Sequence, residues 1–166
     1  MTLGAKQRGK LVGSAVAGAA LLAFGSLAFA QSPGAFAGMG GIWSGSGTVS
    51  LDNGQSERIR CRATYAVSPD GTGLNQTLTC ASDSYKFDLK SNVIARGSHL
   101  SGTWGESSRN IGGNLEGTAR GGHFDVVVTG PSFAANLSMV TTGNRQRVTI
   151  RSEGSFKSAS ISLSRR

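Results

Sequence analysis

Cys61 and Cys80 are the only cysteines in the chain, and they stand as mirror images about one turn. Their midpoint falls between Asp70 and Gly71, inside Ser68-Pro69-Asp70-Gly71-Thr72-Gly73. Pro, Asp and Gly in close succession are turn chemistry. Folding the chain there makes a β-hairpin with Ile59, Cys61, Ala63, Tyr65 and Val67 opposite Leu74, Gln76, Leu78 and Cys80 on a largely apolar face. The other face carries Arg58, Arg60, Arg62, Thr64, Asn75, Thr77 and Thr79. Alternation, turn residues and cysteine placement thus agree on one register. A two-residue Asp70-Gly71 loop would place the cysteines at a hydrogen-bonded pair. A four-residue loop, Pro69 to Thr72, places them at a non-hydrogen-bonded pair, where the strands are closer. The longer loop is the expectation.

Two cysteines pair readily only in an oxidising compartment, and the start of the chain points to one. Lys6, Arg8 and Lys10 precede an Ala/Leu/Val/Gly run from Leu11 to Phe24, and Ala28-Phe29-Ala30 has the small-x-small cleavage pattern. That is a secretory signal peptide over residues 1–30, too short and Gly-rich in its apolar part for a membrane span of ~20 residues. The expected mature chain of 136 residues is periplasmic or secreted, one domain with a real core. All nine acidic residues remain in it and three of the seventeen basic ones leave, so its formal net charge is +5. Closing a loop of about twenty residues with a disulfide stabilises the fold by ~3 kcal/mol in the chain-entropy account.

Gln31 to Gly40 has no hydrophobic period and is expected to be a flexible arm. From Gly41 to Arg166, short alternating runs are separated by turn residues about every ten positions. Trp43, Val49 and Leu51 share parity in the first run. Tyr85, Phe87 and Leu89 alternate with Lys86, Asp88 and Lys90, and Leu100, Gly102, Trp104 and Glu106 form another face. Phe124, Val126 and Val128, then Phe133, Ala135, Leu137 and Met139, then Val148 and Ile150, then Ile161 and Leu163 continue the pattern. The expected fold is all-β, a single antiparallel meander barrel of eight to ten strands, because consecutive hairpins close most simply into a barrel that leaves no edge. Gly45, Gly47 and Gly102 sit on the tryptophan faces and either open a cavity or make room for the indoles.

Gly41-Ile42-Trp43 is a G-x-W on the first strand of a small secreted β-meander, and in this the chain resembles the calycin superfamily of lipocalins and avidins. The resemblance implies a barrel with one end closed by the early tryptophan; it implies no particular ligand. With R-C-R-x-x-Y at Arg60 to Tyr65 and C-A-S-D-S-Y at Cys80 to Tyr85, the whole pattern is also similar to small exported proteins of alphaproteobacteria, which implies a compartment.

Signals of catalysis are thin. His99 and His123 are the only histidines, and His123 with Asp125 on one strand face is a loose match to a base and its orienting acid, the basis of a minor hydrolase reading. No cofactor is expected, and no metal, since neither H-x-H nor C-x-x-C occurs. Continued alternation would point Glu106 inward beside an indole; the favoured reading ends the strand at Trp104 or Gly105 and leaves Glu106 at a solvated rim, with Arg109 its partner either way. Two binding surfaces remain. Arg58, Arg60 and Arg62 on one polar face and Arg145, Arg147 and Arg151 on another suit phosphate or carboxylate groups of an envelope polymer, a membrane surface or an acidic protein. Nucleic acid is not an expected partner, given export and the lack of interleaved aromatics. The interior, around Trp43, Tyr65, Phe87, Trp104, Glu106 and Phe124, suits a small apolar ligand. An outer-membrane barrel is disfavoured because the arginine-bearing faces compete with the outward apolar belt it needs.

Overall fold

The structure, a computed structural model, describes residues 33–84, 86–131, 133–153 and 156–166; the expected signal peptide at 1–30 and Tyr85 lie outside them. Ten strands follow one another: β1 (Gly41–Leu51), β2 (Ser56–Val67), β3 (Gly73–Ala81), β4 (Lys86–Arg96), β5 (His99–Glu106), β6 (Ile111–Arg120), β7 (His123–Gly130), β8 (Phe133–Thr142), β9 (Arg145–Ser152) and β10 (Phe156–Arg165). Each pairs antiparallel with the next, and β10 returns to pair with β1, so the sheet is a closed meander barrel. The fold is the one expected, at the upper end of its strand count. In β2 the alternation is complete: Ile59, Cys61, Ala63 and Tyr65 are buried, while Arg58, Arg60, Arg62 and Thr64 are exposed.

The Cys61 hairpin has the expected register. Val67 faces Leu74, Ser68 N–H donates to the Gly73 carbonyl (2.9 Å), and the loop is the four residues Pro69 to Thr72. Counting from that bonded pair puts Cys61 and Cys80 at a non-hydrogen-bonded site, where their Cα atoms lie 4.1 Å apart and their sulfurs are joined. Asp70 organises the loop by accepting from the Ser68 and Thr72 hydroxyls and from Thr72 N–H, and Gly71 supplies the left-handed φ of +72°.

Residues 33–40 correct an expectation. The stretch has no period, but its Phe36 and Met39 are buried. Phe36 N–H donates to the Gly71 carbonyl (2.9 Å), and its ring stacks on Phe124 at 5.9 Å. The segment is a plug over one end of the barrel. Two apolar anchors in a Gly/Ala context suffice for that, and neither strand nor helix is needed.

The glycines on the tryptophan faces also act differently from either expected role. A Cβ at Gly45 or Gly47 would come within 1.9 or 2.1 Å of a β10 carbonyl oxygen, and one at Gly102 within 2.1 Å of the Asn92 oxygen. What fills the missing side-chain space is neighbouring backbone, so these glycines let strands curl against each other and close a barrel of this curvature.

Oxidised protein is expected to show no titratable thiol, and the Cys61→Ala/Cys80→Ala double variant to lose about 3 kcal/mol in urea unfolding. Two reactive thiols in protein recovered from an oxidising compartment would contradict the pairing.

Candidate functional site

The inward residues of the barrel enclose a cavity of about 170 Å³. Its walls are mostly aliphatic and aromatic, drawn from all strands but β1, with Phe36 of the plug as its lid. Four of the expected interior residues line it: Tyr65, Phe87, Trp104 and Phe124. Trp43 does not. It is 0% exposed beneath the plug, where its indole N–H donates to the Met39 carbonyl (2.8 Å) and the Arg165 guanidinium covers its ring at 5.5 Å. It therefore helps to close that end, as the G-x-W resemblance implies. Toward the other end, Leu78, Phe87, Leu89, Val128, Ile150 and Phe156 are only partly buried, so the apolar interior is most accessible away from the plug.

Polar groups on and beside the wall are few, and they bond across strands. Tyr65 Oη donates to Gln146 Oε1 (2.8 Å), whose Nε2 donates to Thr141 Oγ1 (3.0 Å). Burial pushes the Tyr65 phenol well above its ordinary pKa, only partly offset by the Gln146 bond, so it stays a neutral donor. Trp104 Nε1 donates to the Thr129 carbonyl (3.0 Å), and Ser91 Oγ donates to Gln76 Oε1 (3.2 Å). Gln76, Ser91 and Gln146 were not among the expected site residues. Their signal was a polar residue at inward parity, as in Gln146 beside Val148 and Ile150.

Glu106 corrects the favoured rim reading. The strand does not end before it, its residue is 1% exposed, and it does not line the cavity. Its carboxylate is the acceptor that holds the turn after β5: Asp88 N–H (3.0 Å), Ser108 N–H (3.1 Å), Arg109 N–H (2.8 Å) and the Ser108 hydroxyl all donate to it. The Arg109 guanidinium is 3.6 Å away, the partner expected. Burial alone would raise this carboxyl, but the donors outweigh burial and hold it down to about 2. An ionised, fully engaged carboxylate is a structural cap and not a proton carrier.

Outside, all six expected arginines are exposed. The closure brings their strands into one four-strand face, β2-β1-β10-β9. Cross-strand register reads Arg62, Ser44, Ser164, Arg145 on one row and Arg60, Ser46, Ser162, Arg147 on the next. Arg58 continues the first edge opposite Thr48, and Arg151 continues the other opposite Ser158. His123 and Asp125 are both exposed on the outside of β7 and take no part in the cavity. Among the described residues no three His, Cys, Asp or Glu side chains gather as a metal site. A larger concavity, about 500 Å³, crosses the outside of β2 to β5 by Thr64, Asn75, Thr77, Lys90 and Asn92. It is an open groove, without the enclosure that buries a small ligand.

No protein-family profile matches the sequence, and no curated protein does. Solved structures match in shape. Rv2717c from M. tuberculosis superposes with a TM-score of 0.65 at 13% identity, over 80% of this chain and 95% of its own. The S-type phycobiliprotein lyase CPES from Guillardia theta does so with a TM-score of 0.58 at 10% identity, over 79% and 90%. At such identities the likeness is one of fold. This chain shares their closed barrel fold.

The Glu106 cap has a pH signature. Its folded carboxyl titrates near about 2, below an unfolded glutamate at ~4.3, so its stabilisation is complete above ~pH 5 and is lost as pH falls toward 2. Glu106→Gln is expected to cost about 2–3 kcal/mol at neutral pH, since it leaves buried donors poorly matched. In urea titrations the gap between variant and native protein should shrink as pH drops below ~4.5. A gap constant from pH 7 to pH 3 would contradict the cap.

Proposed function

We propose that this chain is an exported, non-enzymatic binding barrel that holds a small apolar ligand in its interior. The observation that carries the reading is the apolar cavity of about 170 Å³ with aromatic walls, closed by a plug at one end and more accessible at the other. An engineered apolar cavity of ~150 Å³ in another protein takes up benzene, while drug-sized ligands need ~300 Å³ or more, so the fitting ligand is about one ring or a short branched chain. Shape neighbours of the barrel include a protein named as a phycobiliprotein lyase, which supports a barrel that handles a small molecule. Absence of catalysis belongs to the proposal: Glu106, the buried charged residue among those described, is saturated by donors, and the His123–Asp125 pair is outside.

A second reading is favoured by one specific feature, the arginine-edged face. None of Arg58, Arg60, Arg62, Arg145, Arg147 and Arg151 has an ion-pair or hydrogen-bond partner among the described residues. No acidic residue occupies an outward position on β1, β2, β9 or β10. Such a face supports contact with anionic envelope components, either polymer or headgroup, if the protein is exported as proposed.

One titration separates the readings. Native protein is expected to bind benzene saturably, one per chain, at sub-millimolar to millimolar concentration. Leu137→Trp, which fills the cavity, should abolish that binding, and salt should not affect it. Binding to anionic vesicles, by contrast, should weaken above ~0.15 M salt, where the screening length is about 8 Å, and fall in the Arg58→Gln/Arg60→Gln/Arg62→Gln variant. Benzene binding that survives Leu137→Trp would overturn the interior reading.

A further inference from the structure

The cavity wall carries one level of polar side chains. Tyr65, Gln76, Ser91 and Trp104 are cross-strand neighbours in that order on β2, β3, β4 and β5. The inward pairs flanking this row are apolar: Leu74 with Val93 on the plug side, and Leu78 with Leu89 on the other. At this one height the barrel therefore presents hydrogen-bonding groups on a wall that is otherwise oily.

Counting donors along the row singles out one group. The Tyr65 hydroxyl is committed to Gln146, 2.8 Å away on the plugged side. The Trp104 N–H is committed to the Thr129 carbonyl at 3.0 Å, and the Ser91 hydroxyl to Gln76 Oε1 at 3.2 Å. The Gln76 amide nitrogen, with two N–H donors, has no partner among the described residues. It is also absent from the fully enclosed unpaired polar atoms, of which Ser152 Oγ is the one found among the described residues, so it stays open to the space it faces. Ser91 fixes the amide by holding its oxygen, which leaves the nitrogen for whatever enters.

We infer that Gln76 is the specificity-determining residue of the cavity, and that its ligand is a compact apolar molecule bearing one hydrogen-bond acceptor, of the ketone, aldehyde or ester type. The inference rests on the interior reading above. An unpaired amide in an apolar cavity discriminates strongly: an acceptor meets it, whereas a hydrocarbon of the same shape leaves it unpaired after stripping its water. A charged ligand does not fit, because the wall offers no opposite charge and desolvating an ion there is unfavourable. Aromatic neighbours Tyr65 and Trp104 on the same row favour a flat or ring-bearing partner.

Acetophenone and isopropylbenzene test this directly, having the same number of heavy atoms and differing in the carbonyl. Each is titrated into native protein, Gln76→Leu and Gln76→Met by calorimetry or by chemical-shift changes of interior methyl groups. Native protein should favour acetophenone over isopropylbenzene by a ratio that falls about fivefold, the worth of one ordinary hydrogen bond, in both variants. Isopropylbenzene affinity should stay the same or improve. An unchanged ratio in a folded variant overturns the role of Gln76 and leaves the cavity reading standing, because the hydrocarbon still binds. Preference for a donor such as aniline over acetophenone in native protein overturns the acceptor class. If neither compound binds native protein, the cavity reading and this inference fail together.

Discussion

The pairing of the first strand with the last holds the molecule in its form. An antiparallel meander has two edges, each a row of unsatisfied N–H and C=O groups, and joining β1 to β10 removes both at once. That join requires the two strands to lie closer on their inner side than side chains allow. Gly45 and Gly47 meet the requirement by having none, since any Cβ would run into the β10 carbonyls. The same closure creates the two features with functional potential. It encloses an interior, and it brings the arginines of β2 and β9, far apart in sequence, to the two edges of one face.

Polarity then sorts itself by side of the sheet. Inward positions are apolar apart from the row at Tyr65, Gln76, Ser91 and Trp104 and a few other polar groups; outward positions are mostly polar or charged, with Ile42, Ile94, Ile111 and Val127 the large exposed apolar side chains among the described residues. A barrel that spans a membrane has the reverse arrangement, with its apolar belt outside. The two ends of this barrel differ as well. At one, Phe36, Met39, Trp43 and Arg165 interlock above Phe124 and Tyr65. At the other, apolar wall residues keep part of their surface accessible, which is the condition for a ligand to reach them.

Much of this was readable from the chain, and what was not has a common physical cause. The mirror cysteines and their turn specified the β2–β3 register down to loop length, because period-two alternation and turn chemistry are local. Strand identity and facing followed for the same reason, and so did the burial of Trp43 and Trp104. The plug was missed because Phe36 and Met39 make contacts with Gly71 and Phe124 that no local period announces. A solvated rim is the common setting for a carboxylate, and the inward place of Glu106 depends on donors from Asp88 on another strand and from the turn that follows, which parity alone does not reveal. Gln146 serves Tyr65 across 81 residues of sequence. The arginine rows were legible as rows, but their assembly into one face depends on closure, a non-local event.

The central claim is that the barrel is hollow between Trp104, Phe124 and Leu137, and that this largely apolar space admits a small nonpolar guest. Diffraction from crystals held under xenon tests it without assuming any natural ligand, since xenon enters dry apolar cavities of this size. The account predicts strong anomalous density inside the barrel between those three residues, with the plug in place. Xenon found solely at the surface, with the interior side chains collapsed onto one another, would contradict it.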